Sequence, residues 1–386
     1  MGNDILIVFP HNLFELKSGI HKYMYDLVLY LNKQAYQVDL FALTNFESKW
    51  FADDPFDKSC IRDLYLYDAK KIDGFLRWKK VRRIVARKLG LKEAFPNFVS
   101  RGMKTFFDKI VQNNHYEYIL VGYVFFSDLI KGIDKRITKI ISINDFMTLQ
   151  ITNRCKAPRS IGHLLEAEIN QINQFDVALC ISVDELFFFS QFARNPKYYF
   201  VPFVYRPNFQ VQTDCQYDLF FIGFNNNHNI YGLKWFLEKV YPKLDNRIRI
   251  LIIGKIVTSF DFSIYKNITA VEYAPDLNKV YAQIKITISP LFGGSGLKTK
   301  VVESLSFGKP VVCTSKSIIG LPVKENNGCI VSDDPDEFAN IIKKLLHEPV
   351  YYEECRGKAI QFFTEHFGLD NIYRTLDRVF EKKPVL

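Results

Sequence analysis

Residues 290–312, "PLFGGSGLKTKVVESLSFGKPVV", hold the groups best placed to do chemistry. A glycine-rich turn, Phe292-Gly293-Gly294-Ser295-Gly296, follows an apolar run at 285–290 and precedes a helix expected over 298–307. Gly308 suits the C′ position that ends this helix, and Pro310 opens the next strand. The turn therefore lies at the carboxyl end of a strand, where open α/β sheets bind ligands. Glycines such as Gly294 and Gly296 let backbone N–H groups approach an anion, and the helix N-terminus adds positive partial charge. Lys298 and Lys300 are expected in the first helical turn, where a cation opposes the helix dipole and destabilises the helix unless an anionic ligand binds. Glu303, a single carboxylate further along, suits a bidentate acceptor for a ribose diol better than a metal ligand. Glycine turns are weak evidence alone, and the competing reading is a flexible turn with solvated Lys and Glu.

The surrounding sequence supplies the elements that would position this turn. Residues 4–9 read as a strand, 19–33 as a helix with Tyr23, Leu27 and Leu31 at helical spacing, and "YQVDLFAL" as the next strand. "YEYILVGY", "KIISIND" and "DVALCIS" continue the alternation. A linker with two prolines is expected near 203–216. A second series follows: "YDLFFIG", a helix from "NIYGLKWFLEKVYPKL", "RIRILIIG", helix 276–284, "KITISP", helix 298–307, "PVVCT", "GCIV" and helix 335–346. The fold class is α/β, with two Rossmann-like, doubly wound domains in tandem.

Length and composition agree. The 386 residues exceed one ordinary domain, and 48% hydrophobic content with 15% aromatics is far from a disordered composition. The seven cysteines are scattered without CxxC or His/Cys clusters, so neither zinc nor a disulfide framework is indicated. The start, "MGNDILIVFPHN", reads as a first strand rather than a signal peptide, and no apolar run reaches the roughly 20 residues of a membrane span. A soluble, cytoplasmic protein is expected.

These blocks together resemble a GT-B glycosyltransferase of the retaining family 4 type, also called group 1. "GGSGLKTKVVESLSFGKPVV" is similar to that family's donor-binding block. "KSGIHKYMYDLVLYLNKQAYQVDLF" resembles its N-terminal glycine loop and first helix. "DLFFIGFNNNHNIYGLKWFLEKVYPKL", "ILIIGK" and "VEYAPDLNKVYAQIKITISP" resemble successive C-terminal blocks. The resemblance implies two domains facing a central cleft, with the acceptor bound by 1–205, the nucleotide-sugar donor by 206–365, and segment 366–386 packing back across the interface. It also implies transfer of a sugar from a nucleotide diphosphate sugar to a sugar or lipid-linked hydroxyl acceptor, with retention, in surface polysaccharide or glycolipid synthesis. No cofactor and no metal are implied.

By the same resemblance, Glu303 matches the second glutamate of the E-x7-E motif, which holds the ribose. Gly19 matches the glycine that admits the donor diphosphate. Ser295-Gly296-Leu297 matches the loop whose amides meet sugar and phosphate. Three departures stand out. Ser295 occupies the first glutamate's place, Phe224 follows Gly223 where the family has Arg, and Asn229 replaces a Lys. The diphosphate must then find cations elsewhere, and Lys298 and Lys300 are the nearest candidates, stabilising the leaving group. Alternatives are a catalytically inactive scaffold of this fold, or a sugar-nucleotide epimerase with paired acids or bases not identifiable here.

Other candidates compete with structural readings. Asp334-Pro335-Asp336 has a metal-binding D-x-D form, but Asp before Pro at a helix start is a capping pattern. Asn144-Asp145, after "KIISI", would contact donor or acceptor, or form an Asx turn. His11 and His21 flank the first glycine loop and could reach an acceptor hydroxyl. The net charge of +9 is matched by residues 70–92, which hold ten Lys or Arg and one Asp, leaving the remainder neutral. Within 77–92, Trp78, Val81, Val85 and Leu89 form one stripe, with Lys79, Arg82, Arg83 and Arg87 mostly on other faces. This segment is expected to meet an anionic membrane surface, giving a peripheral location, or to be a solvated helix. Nucleic acid is not an expected partner.

Overall fold

In the computed structural model the described residues are 4–15, 19–44, 58–68, 95–154, 161–209 and 215–380. The basic segment 77–92 lies outside them. They form two compact units, Met1–Phe203 with Tyr373–Leu386, and Val204–Ile372.

The first unit contains strands β1 (Asp4–Val8), β2 (Gln37–Thr44), β3 (Leu64–Asp68), β4 (Tyr118–Val121), β5 (Thr138–Ile143), β6 (Val177–Cys180) and β7 (Lys197–Phe200). All pair in parallel, in the order β3-β2-β1-β4-β5-β6-β7. Helices α1 (Gly19–Lys33), α2 (Arg101–Asn113), α3 (Met147–Arg154), α4 (Ile161–Ile172) and α5 (Val183–Phe192) connect them. Leu6, Val8, Ile119, Val121, Ile141 and Ile143, two apart on adjacent strands, share one face and pack with Met103 and Phe107 of α2. The end of the chain adds to this unit through its last described helix: Tyr30 Oη donates to Asp377 at 2.6 Å, and Phe380 lies edge-on to Tyr118.

The second unit contains β8 (Tyr217–Ile222), β9 (Ile250–Ile253), β10 (Ile268–Val271), β11 (Ile284–Ser289), β12 (Val311–Cys313) and β13 (Cys329–Val331). They too are parallel, in the order β10-β9-β8-β11-β12-β13. The helices are α6 (Asn227–Trp235), α7 (Leu277–Ala282), α8 (Thr299–Ser306), α9 (Pro335–His347) and α10 (Pro349–Phe367). Helix α11 (Leu369–Val379) follows, and its residues from Tyr373 on belong to the first unit. Two doubly wound sheets are thus present, as the alternation of strand and helix predicts. In each, strand order reverses once, beside β1/β4 and beside β8/β11, and those points open a crevice at the carboxyl edge.

Some local expectations change. The helix expected across "NIYGLKWFLEKVYPKL" is regular only to Trp235, then widens into a π turn over Phe236–Val240 and tightens over Tyr241–Lys243 at Pro242. Strands β3, β7 and β10 were not among the expected strands. Each lies at a sheet edge and is only partly buried. Asp334 caps α9, accepting from the amides of Asp336 and Glu337 at 2.9 Å each. The D-x-D sequence is therefore a helix start. No helix among the described residues is long and apolar enough to cross a membrane.

Candidate functional site

At the strand-order reversal of the second unit lies a cavity of about 380 Å³. Its walls come from the β8–α6 connection (Gly223, Phe224, Asn226), the start of α6 (His228, Asn229), the β11–α8 loop (Leu291, Gly293 to Ser295, Leu297, Lys298) and α8 itself (Thr299, Lys300, Glu303). Gly223, Gly294, Ser295, Leu297, Lys298, Lys300 and Glu303 are thus gathered around one space, and Gly296 lies within the same loop. The glycines are required by conformation and by space. Gly294 and Gly296 have φ of 92° and 71°, a region that strains other residues. A Cβ at Gly293 would lie 2.3 Å from Nδ1 of His228, so the imidazole packs directly against the loop.

The two lysines differ in a way their spacing does not reveal. Lys298 is the residue before the helix rather than part of its first turn, and its ammonium curls back on its own loop. It donates to the carbonyls of Gly294 (3.2 Å), Ser295 (3.2 Å) and Gly296 (2.7 Å). Lys300 extends across to α6, donating to Asn229 Oδ1 at 2.7 Å, with Nζ 4.7 Å from the centre of the Phe221 ring. Asn229 is fixed in turn: its amide donates to the Phe224 carbonyl at 2.8 Å, and its backbone N–H caps on Asn226 at 3.0 Å. The Lys300 residue is partly exposed, yet burial of its ammonium and then the neighbouring Lys298 charge lower its pKa to about 7. Desolvation without a carboxylate partner has this effect, and an anion in the cavity would reverse it.

Glu303 is partly buried, one α8 turn beyond Lys300. The Tyr281 hydroxyl, 3.5 Å from Glu303 Oε2 and 3.1 Å from Ser304 Oγ, backs this carboxylate. Burial, and then the Glu303 charge, push the Tyr281 phenol well above its usual range, so it stays a neutral donor. Tyr281 is held by stacking on Phe307, centroids 4.1 Å apart. Ser295 Oγ is buried and has no hydrogen-bond partner among the described residues. A buried hydroxyl left this way beside a cavity awaits a ligand atom or water.

The candidates of the first unit sit differently. Asn144 is buried and its side chain ties strand ends together, donating to the Gly122 carbonyl at 2.8 Å and accepting from Ser142 Oγ at 3.0 Å. Asp145 next to it is partly exposed and raises the pKa of half-buried Tyr123, second to desolvation. Gly19 is the exposed first residue of α1. His21 is buried within the first turn of α1, with its ring 5.4 Å from that of His11 and 5.8 Å from that of Phe9. Sequence reasoning missed Glu168 and Glu185, both buried. Glu168 accepts from the amides of Met147 and Thr148 at 2.8 Å each, and Glu185 from that of Phe146 at 3.1 Å. Burial raises the pKa of Glu168 although these bonds oppose it. Both arise from separate helices and cap α3 at a distance in sequence, so no local signal marks them.

Comparison with known proteins bears on the fold that carries this site. Residues 216–348, most of the second unit, match the family of glycosyl transferases group 1. No curated protein matches the chain. Among solved structures, sucrose-phosphate synthase from Thermosynechococcus elongatus is similar over 98% of each chain, with TM-score 0.72 and 12% identity. HepE from Anabaena in complex with UDP and glucose covers 98% of this chain and 99% of its own, at TM-score 0.65 and 13% identity. The E. coli structure described as trehalose-6-phosphate bound with UDP-2-fluoro glucose covers 99% and 100%, at TM-score 0.64 and 12% identity. The fold is GT-B, with two Rossmann-like domains. Within it, residues 216–348 are similar to the group 1 glycosyl transferases.

Proposed function

We propose that the protein is a retaining glycosyltransferase that takes its sugar from a nucleotide diphosphate sugar bound in the cavity of the second unit. The observation that carries this reading is Lys300 on Asn229. The residue that stands where the resemblance expects a lysine is an asparagine, and its carboxamide oxygen holds an ammonium delivered from α8. A desolvated cation, a carboxylate backed by Tyr281 and a glycine loop surround one space large enough for a diphosphate and its ribose. Lys300 stabilises the departing diphosphate, Glu303 orients the ribose diol, and the Gly294 to Leu297 loop, with Ser295 Oγ, meets sugar and phosphate. Lys298 shapes that loop. No metal is needed when an ammonium neutralises the leaving group.

The first unit, with Gly19, His21, Asn144 and Asp145, binds a hydroxyl acceptor, a sugar or a lipid-linked one, and Asn144 acts there by positioning the strand ends. Residues 77–92 hold the enzyme to an anionic membrane, in polysaccharide or glycolipid synthesis. Sedimentation with anionic vesicles at low salt tests the membrane role, and wild type remaining in the supernatant would remove it.

Because the HepE and E. coli structures contain UDP or a UDP-sugar, UDP is the first nucleotide to test, followed by GDP and ADP. Calorimetry should show binding, and incubation with the matching sugar nucleotide should release the diphosphate in the presence of a chelator. Absence of binding to all three nucleotides would sink the reading. Binding without turnover would leave an inactive scaffold.

A further inference from the structure

We propose that Lys255 is a second diphosphate-binding cation of this site, a role that rests on the donor-site reading above. Strands β8 and β9 are neighbours, with Ile222 opposite Ile253, and each ends in a glycine. Gly223 donates its N–H to the Ile253 carbonyl at 3.0 Å, and its own carbonyl accepts from Ile256 at 3.2 Å. Gly254 has φ of 109°, and a Cβ there would lie 2.2 Å from the Gly223 oxygen. Only glycine allows this contact, which sets the residues following the two strands, Phe224 and Lys255, side by side at the carboxyl edge.

Phe224 lines the cavity and is 60% exposed. Its carbonyl is pinned by Asn226 N–H and Asn229 Nδ2, each at 2.8 Å. Over the ring, 5.6 Å from its centre, stands the Lys255 ammonium. Lys255 is exposed and makes no ion pair among the described residues. A cation–π contact at an exposed position is weak, so the ammonium can leave the ring for a phosphate oxygen at little cost.

The cavity needs such a cation. A diphosphate carries more negative charge than Lys300 alone neutralises, and Lys298 is engaged with three carbonyls of its own loop. Phe224 is also the position where the resemblance expects an arginine. Lys255, whose ammonium stands over the ring of a cavity-lining residue, therefore supplies from the neighbouring strand end the charge lost at Phe224, as Lys300 supplies it at Asn229.

Calorimetric titration with UDP tests the assignment, using wild type, Lys255→Gln, Glu303→Ala and the double variant Phe224→Arg/Lys255→Gln. Lys255→Gln should weaken UDP binding by about tenfold and flatten its salt dependence. The double variant should regain most of the lost affinity, because it places a cation at the same rim position. If Lys255→Gln binds UDP as wild type does while Glu303→Ala is weakened, Lys255 is only a surface cation and the proposal is overturned with the donor site intact. If wild type binds none of UDP, GDP and ADP, the donor-site reading fails and Lys255 falls with it.

Discussion

The two units share the strand-order reversal but differ in their polar chemistry. In the first unit, past the carboxyl ends of β4 and β5, Asn144 joins two strand ends and Glu168 and Glu185 accept amides at the start of α3, although Thr148 Oγ1 is buried there without a hydrogen-bond partner among the described residues. Beside β8 and β11 in the second unit, the corresponding groups are left partly unanswered. Lys300 has a neutral partner where a carboxylate would be ordinary, and Ser295 Oγ has none among the described residues. A Rossmann-like crevice becomes a strong anion site only when its loops leave donors and cations unsatisfied by the protein itself. On the function proposed above, the first set of buried polar groups serves stability and the second serves ligand recognition.

Substitutions can break that division. The largest effect is expected for Glu168→Ala, which leaves the buried Thr148 N–H and the part-buried Met147 N–H without acceptors. It should lower stability in denaturant melts by about 2–3 kcal/mol while leaving UDP affinity unchanged. An equal loss of UDP affinity would erase the contrast. Glu303→Ala should do the reverse, weakening UDP binding by roughly 1–3 kcal/mol with little change in melting temperature. Lys298→Met sharpens the comparison within the site. Because its ammonium already holds loop carbonyls, UDP affinity should fall by less than about fivefold, well short of the loss in Lys300→Met. The smallest effect belongs to Ser295→Ala, whose stability should match or slightly exceed wild type, within about 0.5 kcal/mol. A clear destabilisation would show that the hydroxyl has a structural partner.

Much of this was legible in sequence. Strand–helix alternation fixes two parallel sheets, because buried central strands such as "YILV" and "ILII" are continuously apolar. Edge strands β3, β7 and β10 are short and only partly buried, and they stand out less from the surrounding sequence. The glycine turn, the two lysines and Glu303 are also local, and they do line one cavity. What spacing could not reveal is direction. Lys298 and Lys300 are two residues apart, and only the fold shows one ammonium curling onto Gly296 and the other reaching Asn229, 71 residues away in the chain. Glu168 capping α3 from a different helix is invisible for the same reason.

The central claim is that Lys300 is a desolvated cation waiting for a diphosphate, and its pKa of about 7 makes this measurable. The charges acting on it run in one direction: burial and Lys298 both lower the pKa, whereas bound phosphate raises it. His228 and Glu303 also line the cavity, so the Lys300→Met control is essential. Above about pH 7 the phosphate groups of UDP are fully ionised, since their last ionisation lies near about pH 6. As pH rises through 7 the free site loses its proton while the bound site keeps it. UDP affinity should therefore fall by up to about tenfold per pH unit, and binding near pH 8 should take up a proton, seen as a dependence of calorimetric heat on buffer ionisation enthalpy. In Lys300→Met the affinity should already be low at pH 6.5, by roughly thirtyfold, and show no such slope or uptake. Wild-type affinity that is flat from about pH 7 to about pH 9, or a Lys300→Met variant that binds UDP with the wild-type pH profile, would contradict the account.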